Sequence, residues 1–314
     1  MKRAGILSFR FWWTNLPFLV PELPEVEVLV RHLRPLLEGK TIRGVQVRRR
    51  KMLGRTSVRL LGRTLRGARF LHLSRRGKFL LFTLCQGSQA NTEFLVGHLG
   101  MTGRMYLLPA EARLPKHTAI VLDLGAEKFV FEDTRYFGRF TLETTGIERL
   151  GPEPLSPEFT ADLFSKSLKA SRQAIKTKLL DQSLVAGIGN IYASEALFRA
   201  GISPRVPAWK LRNEQVRQLW LAIRQVLTEA IECGSTVALN QTGAEKRDGF
   251  FYFGRASGAD DSYQERLRVY GRWREPCFIC GTAIRRYVQA ARSTFYCPRC
   301  QRSRGFRPLA RKSV

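Results

Sequence analysis

Acidic side chains are scarce in this chain. Only 26 Asp and Glu stand against 53 Lys and Arg in 314 residues, a formal net charge of +27. Such an excess strains a compact fold unless something anionic meets it. It points to nucleic acid as the partner, with an anionic membrane surface as the rival. The basic residues are spread through the folded segments rather than gathered in a tail, which favours a built face for DNA or RNA. No apolar run is long enough to span a membrane. Repeats and low-complexity tracts are absent, and 44% hydrophobic residues exclude a disordered chain. The length allows two domains with cores of their own.

Cysteine is also sparse, and its placement is uneven. Four of the six cysteines form two pairs, Cys277-x2-Cys280 and Cys297-x2-Cys300, with sixteen residues between the pairs. Each pair places two thiolates on one knuckle, and two knuckles complete a tetrahedron around zinc. The alternative is two disulfides in a secreted protein. Cys85 and Cys233 argue against it, because they sit alone in apolar segments and read as small buried hydrophobes in a reducing compartment.

The first twenty residues carry Lys2 and Arg3, then Phe9, Phe11, Trp12, Trp13, Leu16, Phe18, Leu19 and Val20. They lack small residues before a cleavage point, and Pro17 interrupts the apolar run, so a signal peptide fits poorly. Val20 suggests a different expectation. A GTG valine codon can initiate translation in bacteria and is then read as methionine, which is readily trimmed before proline. Pro21 would become the first residue.

The stretch Pro21-Glu22-Leu23-Pro24-Glu25-Val26-Glu27 allows two readings. Taken alone it is a helix start, with Pro24 in the first turn and acids at the positive end of the dipole. A proline nitrogen freed at a chain terminus, however, is a secondary amine that can attack a sugar carbon and form an iminium. Glu22 beside it could move the protons this chemistry needs. From Leu23 to Leu37 the apolar residues keep a three-four helical spacing. From Thr41 to about Leu142 the pattern changes to short β runs, the signature of a β-sandwich with helical cover. Gly151-Pro152-Glu153-Pro154 breaks the pattern as a linker. Helices are then expected over 158–168, 173–181, 190–200 and 212–232. The turn at Ala186-Gly187-Ile188-Gly189-Asn190 opens the third of them, where free N–H groups can hold a phosphate or simply close a turn. Residues 234–266 lack periodicity, and Phe250 to Phe253 lie within them as a binding loop or a satellite core.

Six landmarks occur in one order: the Pro21–Glu27 stretch, Arg76-Gly77-Lys78, His98-Leu99-Gly100-Met101-Thr102-Gly103, Asp133-Thr134-Arg135-Tyr136-Phe137-Gly138, Gly187-Ile188-Gly189-Asn190-Ile191-Tyr192-Ala193, and Gln289 to Cys297 in the cysteine hairpin. In this order they resemble the bacterial formamidopyrimidine-DNA glycosylases of the Fpg/Nei superfamily, from about residue 21 to residue 303. The resemblance implies an α+β protein. It would comprise an extension at 1–20, a catalytic β-sandwich domain at 21–150, and a helix–two-turn–helix DNA-binding domain at 151–273 whose lesion-capping loop spans 234–266. A zinc hairpin at 274–305 and a basic tail at 306–314 would follow.

The resemblance also implies roles. Pro21 matches the nucleophile that attacks the sugar, Glu22 the acid that protonates the opening ring, and Lys78 a lysine near the lesion phosphates. Met101, Arg135 and Phe137 match the residues that fill the void left by an extruded base. Lys176, Asn190 and Arg292 match phosphate contacts. Cys277, Cys280, Cys297 and Cys300 would hold one structural zinc, since four thiolates leave no open position for water. The expected activity is release of oxidised purines from double-stranded DNA followed by β,δ-elimination, by a monomer in the bacterial cytoplasm, associated with the nucleoid. Leu23-Pro24 and the Arg135/Phe137 arrangement favour oxidised purines; the endonuclease VIII-like branch, which acts on oxidised pyrimidines, usually has glycine where Leu23 stands. The loop from Gln241 to Glu265 is longer than the usual capping loop. If residues 1–20 are retained, Pro21 is a tertiary amide and the chain would be a catalytically silent binder of damaged DNA.

Overall fold

The computed structural model describes residues 20–87, 92–234 and 266–302. The extension before Val20, residues 235–265 of the expected capping loop with Phe250 to Phe253, and the basic tail lie outside the described residues. Helix α1 spans Leu23–Leu37 with Pro24 in its first turn and Pro35 inside its last. Two four-stranded antiparallel sheets follow. One has the order β1 (Gly44–Val47), β6 (Thr118–Asp123), β7 (Glu127–Asp133), β5 (Gly103–Pro109). The other has the order β2 (Ala68–Arg76), β3 (Phe79–Gln86), β4 (Thr92–His98), β8 (Arg139–Thr141). Phe129 of β7 lies 5.9 Å from Phe82 of β3 and 6.0 Å from Phe140 of β8, ring centre to ring centre, so aromatic packing joins the two inner faces.

A helix stands where only β runs were expected. Helix α2 spans Val58–Leu65, and the Ser57 hydroxyl caps it by accepting the Leu60 N–H at 3.1 Å. Its cause is local: a serine N-cap followed by Leu61 and Leu65, four apart, both fully buried.

After the one-turn helix α3 (Thr145–Glu148) the chain becomes helical: α4 (Ala161–Lys169), α5 (Ile175–Leu179), α6 (Asn190–Arg199) and α7 (Asn213–Glu232). Strands β9 (Arg285–Gln289) and β10 (Arg292–Tyr296) form the terminal hairpin, turning through Ala290 and Ala291 at φ 49° and 56°. Two successive positive φ values give the primed turn that suits strand twist.

Two cores result. One fills the sandwich. The other joins α4 to α7 with the hairpin through Phe295, Ile284 and Cys297. Helix α1 belongs to both: Leu23 lies in the helical core, while Val26, Leu29, Val30 and Leu33 lie in the sandwich core. Residues 21 and 22 therefore stand at the junction of the two.

Candidate active site

At that junction, Leu23 N–H donates to Gly187 O at 3.1 Å, fixing the chain before α1 against the glycine turn before α6. The Glu22 carboxylate then accepts from Ile191 N–H at 2.9 Å and Tyr192 N–H at 3.4 Å. These are first-turn amides of α6, which lack intrahelical partners and lie at the positive end of its dipole. The phosphate-ready N–H groups expected at this turn thus hold a carboxylate of the chain itself. Gly189 makes the approach possible: a Cβ there would lie 2.3 Å from Glu22 Cδ and 2.6 Å from Lys78 Nζ. Any larger residue would force Glu22 and Lys78 away.

Glu22 and Glu25 are both buried, at 1% and 0% exposure. Glu25 accepts the Glu22 N–H at 2.8 Å and the Tyr192 hydroxyl at 2.6 Å. Burial raises the Glu22 pKa to about 7; the Lys78 charge pulls it down in part, and neighbouring Glu25 pushes it up. A carboxyl at that value is protonated in a large fraction of molecules at neutral pH. Lys78 is perturbed the opposite way: burial lowers its pKa, against Glu22 and Glu25.

Lys78 leaves the β2–β3 turn, which is held across the domain junction. Glu153 accepts from Gly77 N–H at 2.6 Å, Arg75 Nη1 at 2.7 Å and Arg76 Nη1 at 3.1 Å. Arg75 Nε also donates to Glu27 of α1 at 2.8 Å. In the sequence Glu153 reads only as part of a linker, since nothing local reveals that three donors converge on it. Opposite Phe79 on β4 stands His98, their rings 4.8 Å apart, with His98 Nδ1 accepting from Gly100 N–H at 3.1 Å. Burial, with the charges of Lys78 and Arg139, lowers the His98 pKa to about 4, so the ring is neutral.

The hairpin closes the site. Asn190 Nδ2 donates to Ser293 O at 2.9 Å, and Lys176 Nζ donates to the same oxygen at 3.1 Å and to Thr294 Oγ1 at 2.9 Å. Lys176 is 1% exposed, so its amine is a strut to the hairpin rather than a surface group, and burial lowers its pKa to about 7. Neighbouring Arg292 is exposed, and its charge reaches both Lys78 and Lys176. The β4–β5 turn that carries Met101 packs against the Arg135–Phe137 loop, a Cβ on Gly100 falling 2.7 Å from the Phe137 carbonyl carbon; Arg135 Cζ lies 4.9 Å from the Phe137 ring centre, and Phe137 is 46% exposed.

The four paired cysteines gather in the hairpin, all sulfurs within 4.8 Å of one another. Separations of 3.5 Å for Cys280–Cys297, 3.5 Å for Cys280–Cys300 and 3.9 Å for Cys277–Cys300 bracket the edge of about 3.8 Å that zinc–thiolate bonds of about 2.3 Å require. They are far beyond a disulfide bond of about 2.05 Å. The donor set fits one structural zinc.

A β-sandwich joined to a helical domain and a thiolate-bound hairpin, with a buried acid, a lysine and exposed cations at their junction, is the layout of a DNA-repair enzyme of the helix–two-turn–helix class. The sequence profile of the formamidopyrimidine-DNA glycosylase N-terminal domain matches residues 20–140, that of the family's H2TH domain residues 150–241, and that of the zinc finger found in FPG and IleRS residues 274–302. The chain belongs to the formamidopyrimidine-DNA glycosylase family. It is 40% identical over 283 residues to the formamidopyrimidine-DNA glycosylase of Carboxydothermus hydrogenoformans, covering 90% of this chain and 100% of the relative. It is 42% identical over 289 residues to that of Thermus thermophilus, covering 90% and 98%. The MutM (FPG) crystal structure from Thermus thermophilus superposes with a TM-score of 0.74 at 40% identity, over 90% of this chain and 98% of the other. The Lactococcus lactis Fpg complex with abasic-site DNA superposes at 0.77 and 31% identity, over 90% and 100%.

Proposed function

We propose that this chain releases oxidised purines, 8-oxoguanine and formamidopyrimidines, from double-stranded DNA and then cuts the strand as a lyase. The observation that carries the reading is Glu22: a buried carboxyl next to Pro21, with a pKa of about 7, seated on the first turn of α6 beside Lys78. The sequence of events follows from these groups. The Pro21 nitrogen bonds to the sugar C1′ as the glycosidic bond breaks; the bond's electron pair leaves on the base, which takes up the proton that the proline N–H must lose. Glu22 gives its proton to the ring oxygen as the sugar opens, leaving an iminium between Pro21 and C1′. That cation acidifies the C2′ hydrogens. Loss of one expels the 3′ phosphate, and a second elimination expels the 5′ phosphate. Lys78 and Arg292 are assigned to hold those phosphates, with Asn190, which donates to Ser293 O, ordering the hairpin that carries Arg292.

This chemistry requires a free Pro21 nitrogen, so the active form begins at Pro21. The preference for purines rests on the Leu23-Pro24 and Arg135/Phe137 pattern, and a L. lactis Fpg complex with DNA containing Fapy-dG is among the structures this chain resembles, with a TM-score of 0.78. The protein acts as a monomer on chromosomal DNA in the bacterial cytoplasm. No helix among the described residues is long and apolar enough to cross a membrane.

The test is covalent trapping. The chain started at Pro21 after a removable methionine is compared with a chain whose residues 1–20 are kept, each with borohydride and an 8-oxoguanine duplex. Only the first is expected to yield a trapped adduct. Equal trapping by both forms overturns the reading, as does faster release of oxidised pyrimidines than of 8-oxoguanine.

A further inference from the structure

We propose that Asp133 is a positioning residue that holds Met101 and the Arg135–Phe137 loop together as one wedge, assembled before DNA arrives. The proposal rests on the reading that those three side chains enter the base stack.

Asp133 ends β7 and is fully buried, at 0% exposure. Its Oδ1 accepts from Thr102 Oγ1 at 2.6 Å and from Arg135 N–H at 3.1 Å, and its Oδ2 accepts from Gly138 N–H at 2.8 Å. Thr102 directly follows Met101, while Arg135 and Gly138 bracket Phe137. One carboxylate therefore ties the root of one loop to both ends of the other. None of its three donors is a Lys or Arg side chain. A buried carboxylate held only by such donors is stable while all of them stay in place, so the loops and the acid fix one another.

Two further observations make the unit rigid. Tyr136, between Arg135 and Phe137, has φ 53°, a conformation costly for a residue with a Cβ. Its ring is pinned by Arg49, 4.9 Å from the ring centre, and its hydroxyl lies 3.4 Å from His117 Nδ1. The loops also touch through their backbones: a Cβ on Gly100 would lie 2.6 Å from Gly138 N and 2.7 Å from the Phe137 carbonyl carbon. Arg135 and Phe137 project from this base with their side chains exposed. Asp133 itself points away from solvent, so it acts through the loops it holds. A wedge ordered in advance loses little entropy when a base is pushed out, so that binding energy goes into opening the stack.

The experiment uses the form beginning at Pro21 and compares Asp133→Asn with the unaltered chain. Asparagine offers one acceptor oxygen, so it cannot serve all three donors. Single-turnover base release from an 8-oxoguanine·cytosine duplex is measured beside strand cutting of an abasic duplex, in which no base has to be extruded. The ratio of the two rates is expected to fall about tenfold, the effect of losing a hydrogen bond to a charged group. Thr102→Val should lower the ratio by a smaller factor, and Thr102→Ser, which keeps the hydroxyl, should restore it. Where Asp133→Asn does not fold, the Thr102 pair carries the test. Asp133→Asn and Thr102→Val that slow both substrates alike, or neither, overturn the proposal if Met101→Ala still lowers the ratio. A Met101→Ala variant with an unchanged ratio overturns the wedge assignment beneath it.

Discussion

Glu22 sits between opposing influences: burial and Glu25 favour its proton, while Lys78 and two helix amides favour its charge. Burial wins, and the resulting pKa near 7 has a kinetic consequence. In the proposed mechanism ring opening needs the protonated acid, so base release should fall as pH rises through about 7, approaching tenfold per unit beyond it. In the proposed mechanism the Pro21 amine works in the opposite sense, since an amine attacks only when unprotonated, and the rate should fall again on the acid side. A bell-shaped single-turnover profile for 8-oxoguanine release is expected. Glu22→Gln should lose base release at every pH, because an amide fills the same space but is far too weak an acid to give up a proton. A flat profile for the unaltered chain would remove Glu22 from the acid role. His98 contrasts with it: at a pKa of about 4 its ring stays neutral across that range and adds no second transition.

The hairpin is the element whose integrity depends most on something besides its own sequence. Two five-residue strands are marginal alone in water. Zinc–thiolate bonds and the shared core at Phe295 and Cys297 supply the rest. Its docking onto α5 and α6 passes through Ser293 O, with Asn190 and Lys176 both donating to it. Loss of the metal should therefore displace Arg292 from the site. Cys297→Ser is expected to lose stoichiometric zinc and most DNA affinity, while Cys85→Ser and Cys233→Ser keep both. Elemental analysis beside a binding titration checks this; a Cys297→Ser protein that retains one zinc per chain contradicts the four-thiolate assignment.

Over the whole molecule, charge and rigidity have separate jobs. The net charge of +27 makes phosphate neutralisation the main source of affinity. With about six phosphate contacts, affinity should fall roughly 10³-fold between 50 and 200 mM salt. Arg292→Ala should lower the salt slope by about one and weaken damaged and intact duplex alike. Arg135→Ala should leave intact duplex nearly unchanged and instead cost about 1–3 kcal/mol of discrimination between cytosine and adenine opposite the lesion. Titrations of both variants across salt, on both pairings, separate the two roles; an Arg135→Ala protein that keeps its partner preference is only a backbone contact. Relative placement of the domains is the task of α1, which belongs to both cores, and of Glu153, which ties the Lys78 turn to the linker.

Signals that depend on neighbours along the chain were legible in the sequence. The Cys-x2-Cys pairs, the three-four stripe of α1, the change from β runs to helices near Gly151 and the excess of positive charge each follow from local spacing or composition. The ordered landmarks added the family, which residue spacing alone does not reveal. Helix α2 escaped because its signal is short: one serine cap and two leucines inside a region dominated by β runs. Other features were decided only by the tertiary structure, because they depend on groups far apart in the chain. The acid Glu22 meets the amides of Ile191 and Tyr192, Lys176 meets Thr294, and Glu153 meets Gly77. Asp133 is the plainest instance. In the sequence it is the acid before a loop; in the fold it is buried, and what surrounds it, Thr102 from one loop and two backbone amides from another, makes it a junction. Residue type and spacing set which chemistry is available to this chain, whereas burial and convergence set which protonation state and which partner each group has, and those exist only once the chain has folded.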